Sequence, residues 1–184
     1  MNRRVVILLG LGGVLAVVLA VGVVLLPAAR GSGADSRPRQ LQPPAWLASR
    51  QEPYARVEIG ETVVWARLAL TPEQRTQGLS GVEYLEADEG MLFVYPVKGR
   101  YPFWMRGMLF PLDMIWIDDD RVVDLKPDRP VPAPGQSESE LPIYSPLADA
   151  NYVLEVNAGW AAAHGITIGS PVTITLPAGI ALPR

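Results

Sequence analysis

Three carboxylates of this chain lie within or next to apolar stretches of sequence. A carboxylate that is buried there needs a hydrogen-bond or ion-pair partner. Asp113 and Glu155 stand inside such stretches, and Glu89 comes directly before one. Two acids that share a cleft about 5 to 10 Å apart are the equipment of acid–base hydrolysis, with Glu89 or Glu155 as the second acid beside Asp113. A structural ion pair of Asp113 with Arg75 or Arg106 is the alternative, and it is the favoured interpretation.

Large aromatic side chains surround Asp113 in residues 101–118, YPFWMRGMLFPLDMIWID. Such side chains are costly to leave in water, so the segment either forms a pair of core strands or lines a pocket. In a pocket, Trp104 would stack on an apolar ring or a sugar face. Arg75, Asp113 and Asn157 would supply the few polar groups of a small-molecule site.

The strong short motifs of catalysis and metal binding do not occur. The sequence has no Gly-rich phosphate loop, no G-x-S-x-G and no H-E-x-x-H. It has no cysteine, and its one histidine, His164, is predicted to complement the carbonyl end of a short helix. Cu(I) could be held by thioethers, but core packing is the favoured role of Met91, Met105, Met108 and Met114. We therefore predict no metal and no cofactor, and the motifs do not decide whether the protein is an enzyme.

Charge is distributed unevenly along the 184 residues. Residues 1–51 hold six arginines and one aspartate, so ten of the 16 basic and eighteen of the 19 acidic residues lie in 52–184. The net charge of that part is near −8. An acidic domain of this kind is unsuited to the phosphate backbone, so we expect no nucleic-acid partner.

The N-terminal region contains one uncharged apolar segment, residues 5–26. As a helix it would be about 33 Å long, enough to cross a bilayer. Arg3 and Arg4 precede it, which predicts a cytoplasmic tail at 1–4 and a single-pass protein with its main domain outside the cytoplasm. A cleaved secretory signal is the alternative, but its apolar region is usually shorter, about 7 to 15 residues.

Two further features belong to this front part of the chain. Gly12, Ala16 and Ala20 form a small-residue stripe that could support a homodimer, although plain membrane filler is the favoured interpretation. Residues 27–52 are rich in Pro, Ala, Gly, Ser, Gln and Arg, which is typical of a flexible tether. The folded domain is then expected at 53–184, with the membrane as one partner and a small molecule or envelope component as another.

Hydrophobic alternation in 53–184 predicts seven or eight short strands and two short helices. Thr71, Pro72 and Gln74 carry the signals of a helix start, and Gly78 those of its end. Pro102 and Pro111 break any helix in residues 101–118, which are therefore predicted to form strand, loop and strand. The strands are expected at 56–59, 62–70, 90–95, 112–117, 121–126, 151–156 and 171–176. This pattern is typical of a mainly β domain, a compact sandwich or a partly open barrel.

Several motifs, taken in order, resemble those of the domain of unknown function 192 family of small bacterial and archaeal domains. They are Arg75-x-x-Gly78-Leu79, residues 88–93, residues 103–105 with 111–113 and 117–118, and residues 153–159. The resemblance implies a compact β sandwich or barrel with short helices and no assigned activity. It retains Arg75, Trp104, Asp113 and Asn157 as site candidates. Members usually have lysine and asparagine where this chain has Arg106 and Gly107.

Overall fold

One curled sheet of seven strands forms the domain in the computed structural model, which describes residues 43–180. Two short α-helices accompany it, α1 (Pro72–Gln77) and α2 (Trp160–Ala163), with 3-10 turns at Ala45–Ser49 and Glu138–Glu140. The strands are β1 (Tyr54–Ile59), β2 (Thr62–Ala69), β3 (Glu89–Gly99), β4 (Leu112–Asp118), β5 (Arg121–Arg129), β6 (Ala150–Asn157) and β7 (Val172–Thr175).

The order of strands across the sheet is β5-β4-β6-β3-β2-β1-β7, and every neighbouring pair is antiparallel except β2 with β3. The sheet curls until its two edges touch at one bridge, Arg121 with Pro171. There the Val122 N–H donates to the Ser170 carbonyl at 3.0 Å. The prediction of a mainly β domain with two short helices is confirmed. Of the two predicted forms, a compact sandwich or a partly open barrel, the structure shows the second, as a single curled half-barrel sheet.

Both faces of the sheet bury apolar side chains. Alternate residues of the central strands enter two separate clusters, because successive strand residues point to opposite faces. One cluster includes Leu92, Ile115 and Leu154 and contacts α2 through Trp160. The other contains Phe93, Leu79, Phe103, Met114, Trp116 and Val153. We call this second set the aromatic cluster. The double burial explains why β4 is apolar nearly throughout.

The start of α1 follows its sequence signals. The Thr71 side chain accepts a hydrogen bond from the Gln74 N–H, and the Gln74 side chain accepts one from the Thr71 N–H at 2.9 Å. Pro72 occupies the first turn, where a missing N–H costs nothing. Gly78, with φ of 51°, ends the helix in a conformation that disfavours other residues. The predicted helix is therefore confirmed.

Residues 101–110 differ from the prediction. They form a loop with one isolated bridge, Phe103 to Tyr144, instead of a first strand. Pro102 removes one ladder donor beside Phe103, and the turn at Gly107 has φ of 69°. Pairing of this loop is therefore limited to that bridge, and the Phe103 side chain packs on the sheet face.

Structured contacts begin before residue 53. Trp46 Nε1 donates to Asp88 Oδ1 at 2.9 Å, and the Trp46 ring packs edge-on against Tyr54 at 5.6 Å between centroids. This part of the predicted tether therefore lies against the domain. No helix within residues 43–180 has the length and apolar character needed to cross a bilayer. The predicted anchor at 5–26, with its small-residue stripe, falls outside the described residues.

Asp113 lies at the start of β4 and has no solvent exposure. Its Oδ1 accepts hydrogen bonds from the backbone N–H groups of Asp128 at 2.8 Å and Gly159 at 3.0 Å. Its Oδ2 accepts one from Ala161 N–H at 2.8 Å. The expected ion pair with Arg75 or Arg106 is wrong, because three amides already satisfy this carboxylate and neither arginine contacts it.

We expect Asp113→Asn to lower the free energy of unfolding by roughly 2 to 4 kcal/mol, since its NH₂ group faces backbone donors that then lose their acceptor. Denaturant titration followed by tryptophan fluorescence measures the change. Asp120→Asn is the matched control, because the Asp120 side chain is exposed, and a change within about 0.5 kcal/mol is expected there. Equal stability of the Asp113 variant and the wild type would contradict the structural role.

Candidate functional site

A cavity opens between α1, the end of β3 and the 101–108 loop. Its mouth has a volume of ≈ 430 Å³ and includes Arg75, Tyr95, Trp104 and Ile143 in its lining. A narrower recess of ≈ 70 Å³ shares Arg75, Tyr95 and Trp104 and reaches Glu155. We call the mouth and the recess together the aromatic pocket. Its walls come from five separate parts of the chain: α1, β3, the 101–108 loop, the segment around Ile143, and β6.

Arg75 is held rigidly at the wall of the aromatic pocket. Its Nη1 donates to the carbonyls of Leu70 at 2.7 Å and Val94 at 3.0 Å. Its guanidinium lies 5.0 Å from the ring centroid of Tyr95, which in turn stacks on Tyr101 at 3.5 Å. Nε and Nη2 have no hydrogen-bond partner among residues 43–180. The helix thus presents a fixed cation with donors to spare.

Trp104 forms the exposed side of the aromatic pocket, with 43% of its surface accessible. The guanidinium of Arg106 lies 4.8 Å from its ring centroid and reaches Glu138 at 3.5 Å. Ser80 Oγ donates to the Arg106 carbonyl at 2.7 Å. A second cation therefore stands beside the exposed indole of the aromatic pocket.

The loop that carries Trp104 turns at Gly107, whose φ is 69°. A Cβ atom there would lie 3.1 Å from Ser80 Cβ, so a side chain would crowd α1's neighbouring turn. Glycine and asparagine are the residues that adopt this left-handed conformation most readily. Gly107, in place of the asparagine that family members usually have, is therefore compatible with the backbone conformation of the loop that carries Trp104.

Glu155 lies at the recess on the same face of the sheet as the aromatic cluster. Its strand register places it beside Met91 and Met114. Only 3% of it is exposed, and it has no hydrogen-bond or ion-pair partner among the described residues. Burial raises the pKa of the Glu155 carboxyl to about 8, so the group is mainly protonated at neutral pH.

The structure brings together three of the predicted site residues, Arg75, Trp104 and Glu155. Asp113 is elsewhere, bound to its three amides. Asn157 is also elsewhere, since its Nδ2 donates to the Glu86 carbonyl at 3.0 Å and the Leu85 carbonyl at 3.3 Å, holding the loop before β3. Neither residue lines the aromatic pocket.

The carboxylate pair that hydrolysis would require does not form around Asp113. The ladder between β4 and β6 sets Met114 opposite Glu155 and Asp113 opposite Val156. Residues that are directly opposite share a face, and successive residues alternate, so Asp113 and Glu155 point to opposite sides of the sheet. A one-residue offset in register separates two acids whose strands are hydrogen-bonded neighbours.

Glu89 is the third acid, and it belongs to a separate buried network. It accepts hydrogen bonds from Tyr54 OH at 2.6 Å, Arg67 Nε at 2.9 Å and the Glu86 N–H at 3.1 Å. Burial alone would raise its pKa, but these hydrogen bonds outweigh burial and hold the pKa of Glu89 below its usual value. Burial and the Glu89 hydrogen bond raise the pKa of Tyr54 to about 12. The network ties β1, β2 and β3 together.

The other residues considered as metal ligands or catalytic groups have structural roles. His164 caps α2, with Nδ1 2.8 Å from the Trp160 carbonyl. Met105, Met108 and Met114 are buried in the aromatic cluster. Within residues 43–180, no three His, Asp or Glu side chains converge on a point that could hold a metal ion.

Sequence reasoning did not identify Tyr95, Arg106 or Ile143 as pocket residues. Tyr95 carried a signal, because it follows Phe93 by two residues and so shares its face. Ile143 carried none, since it lies in a proline-rich loop that meets the rest of the site only through folding. Burial raises the pKa of Tyr95 to about 12, which keeps its hydroxyl protonated.

This chain matches a known protein family and resembles several solved structures. The model of the DUF192 family, described as uncharacterized ACR, matches residues 55–174. No curated protein matches the chain.

Two crystal structures resemble the fold. One is a protein of Sinorhizobium meliloti 1021 provisionally described as a transcription regulator, 28% identical, with a TM-score of 0.57, covering 66% of this chain and 92% of that one. The other is a protein of unknown function from Novosphingobium aromaticivorans DSM 12444, also 28% identical, with a TM-score of 0.58 and coverages of 65% and 84%.

We expect Glu155→Gln to stabilise the protein increasingly as pH rises from about 4.5 to 8. The unfolded glutamate ionises at its ordinary pKa, whereas the folded one keeps its proton until about 8, so wild-type stability falls through this interval. The amide has no proton to lose, and its advantage is on the order of 3 kcal/mol at pH 7. Denaturant titrations at pH 4, 7 and 9 measure it. A constant difference at all three pH values would show that Glu155 is already ionised in the fold.

Proposed function

The chain belongs to the DUF192 family, which has no assigned activity, and we propose that it is a membrane-tethered, extracytoplasmic module that binds a small ligand in the aromatic pocket. The observation that carries this proposal is Trp104, an indole 43% exposed at the mouth of a cavity that also holds the fixed guanidinium of Arg75. Leaving so large an apolar ring accessible has a cost that a ligand would remove.

The dimensions of the aromatic pocket support this proposal. Its mouth of ≈ 430 Å³ falls within the range of small-molecule sites, about 300 to 1,000 Å³. Ile143, 66% exposed, extends the apolar surface of the mouth. Few polar groups, each held in place, face this apolar surface, which is the usual composition of a ligand site.

A hydrolase is the weaker alternative. Asp113 is saturated by backbone amides, and Glu89 is saturated by Tyr54, Arg67 and a backbone N–H. Glu155 is then the single acid that faces the aromatic pocket from the sheet. Acid–base hydrolysis of glycosides needs two carboxyl groups across one bond, so binding accounts for the arrangement better.

Nucleic acid is not the proposed ligand, although one structural relative is provisionally described as a transcription regulator. The net charge near −8 of residues 52–184 would repel a phosphate backbone. The proposed location rests on the apolar segment 5–26 with Arg3 and Arg4 before it. Thus the pocket would face the envelope.

We expect Trp104→Ala to reduce ligand affinity about five- to thirtyfold while leaving the melting temperature nearly unchanged, because the ring is partly exposed and loss of stacking removes about 1 to 2 kcal/mol of binding energy. A thermal-shift screen of the purified chain against sugars, envelope fragments and small organic acids finds the ligand, and calorimetry gives its affinity.

Tyr84→Ala is the matched control, because Tyr84 is 60% exposed and does not line the aromatic pocket. Its binding should equal that of the wild type. Equal loss in both variants would show that the effect is not local. Unimpaired binding by the Trp104 variant would exclude the aromatic pocket as the site.

We expect deletion of residues 1–26 to move the protein from the membrane fraction to the supernatant, since the hydrophobic segment is the proposed anchor. Fractionation with an alkaline wash separates an inserted chain from one that is only adsorbed. A wild-type chain that leaves the membrane in the alkaline wash, or that matches the deletion in apparent mass, would instead support peripheral attachment or a cleaved signal.

A further inference from the structure

Three polar side chains of the recess, Arg75, Tyr95 and Glu155, each have a proton to donate. Arg75 has Nε and Nη2 free among the described contacts, and Tyr95 has a hydroxyl with no hydrogen-bond partner there. Glu155 also lines the recess and has no cationic partner among residues 43–180. We propose that the recess binds the carboxylate of a small organic acid whose apolar body lies on Trp104 and Ile143. This ligand class rests on the proposed function of the aromatic pocket.

Arg75 is the principal contact for the carboxylate. Two carbonyls fix its Nη1 and the Tyr95 ring fixes the plane of its guanidinium, so little side-chain entropy remains to be lost on binding. A guanidinium edge matches two carboxylate oxygens in one plane. Arg106 adds positive charge at the rim, although Glu138 partly neutralises it. The balance of charge thus favours an anion over a cation.

Glu155 contributes a second type of contact, a carboxylic acid that donates to a carboxylate. It is 3% exposed, and burial keeps the pKa of this group near 8 in the empty protein. Two carboxyl groups that share a site retain one proton between them, so an anionic ligand would raise that pKa further. A protonated Glu155 therefore donates a hydrogen bond to the ligand carboxylate and does not repel it.

The recess and the mouth of the aromatic pocket differ in volume, so each accepts a different end of the ligand. The recess of ≈ 70 Å³ has room for about two waters, which suits a carboxylate but excludes a ring. The mouth of ≈ 430 Å³ accepts the remaining body, against Trp104, Phe103 and Pro102. A short aryl or alkyl acid fits both compartments, with its charge inside and its apolar part at the exposed indole.

The pH dependence follows from the groups that face Glu155. These are Arg75 from α1, Tyr95 from β3 and Arg106 from the 101–108 loop, and its neighbours across the sheet are Met91 and Met114. Arginine stays charged, and burial raises the pKa of Tyr95 to about 12, so only Glu155 titrates near pH 8. Above that pH, binding requires proton uptake and affinity falls about tenfold per pH unit.

Calorimetry of the full chain in detergent micelles tests the proposal with phenylacetate and its neutral analogue phenylacetamide between pH 6.5 and 9.5. Phenylacetate should bind at least about tenfold more tightly at pH 7, because the amide cannot engage the guanidinium as an anion. Its affinity should fall above pH 8 in the wild type. In Glu155→Gln, whose side chain cannot ionise, this fall above pH 8 should be absent.

Glu83→Gln is the matched control, since Glu83 is exposed and outside the aromatic pocket, and it should keep the wild-type pH profile. Equal affinity for acid and amide, no binding of the acid, or an affinity that rises with pH would overturn the carboxylate assignment. So would preference for phenyl phosphate or phenethylamine, but Trp104-dependent binding of these probes would leave the aromatic pocket as a site. Binding insensitive to Trp104→Ala would instead remove the proposed function itself.

Discussion

The carboxylate of Asp113 is the interaction on which the arrangement of β4, β5 and α2 depends. A charge with no solvent exposure is stable only if hydrogen bonds replace water, and three backbone N–H groups do so here. Those donors come from Asp128, at the end of β5, and from Gly159 and Ala161, at the start of α2. One side chain thus fixes the end of a hairpin and the entry to a helix at a single point.

Two neighbouring acids illustrate how environment assigns roles. Asp113 and Glu155 lie on paired strands, one residue apart in register, and both are buried. Asp113 faces helix and hairpin amides that satisfy it, whereas Glu155 faces aromatic side chains that do not, and its pKa rises to about 8. The first acid serves the fold. The second remains available for a ligand, because nothing in the described part of the chain occupies it.

The aromatic pocket depends on the loop at 101–108. Phe103 and Met105 of this loop enter the core while Trp104 between them stays exposed, and the left-handed turn at Gly107 sets the loop against Ser80. α1, whose capping box fixes its start, sets Arg75 opposite this loop. The proposed ligand site is therefore built from backbone features whose physical reasons are local.

The sequence alone determined the features that depend on residues close together in the chain. These are the capped helix α1, the apolar strands, the β4–β5 hairpin and the motifs of the family. It also singled out Arg75, Trp104, Asp113 and Glu155 by residue type. Only the tertiary structure decided which of them meet. Strand register sends Asp113 and Glu155 to opposite faces, and sheet order brings α1, β3, β6 and the 101–108 loop together. Strand register and sheet order depend on contacts between residues that are distant in sequence, and no local pattern encodes those contacts. A shift of one residue in register would turn every side chain of a strand to the opposite face of the sheet.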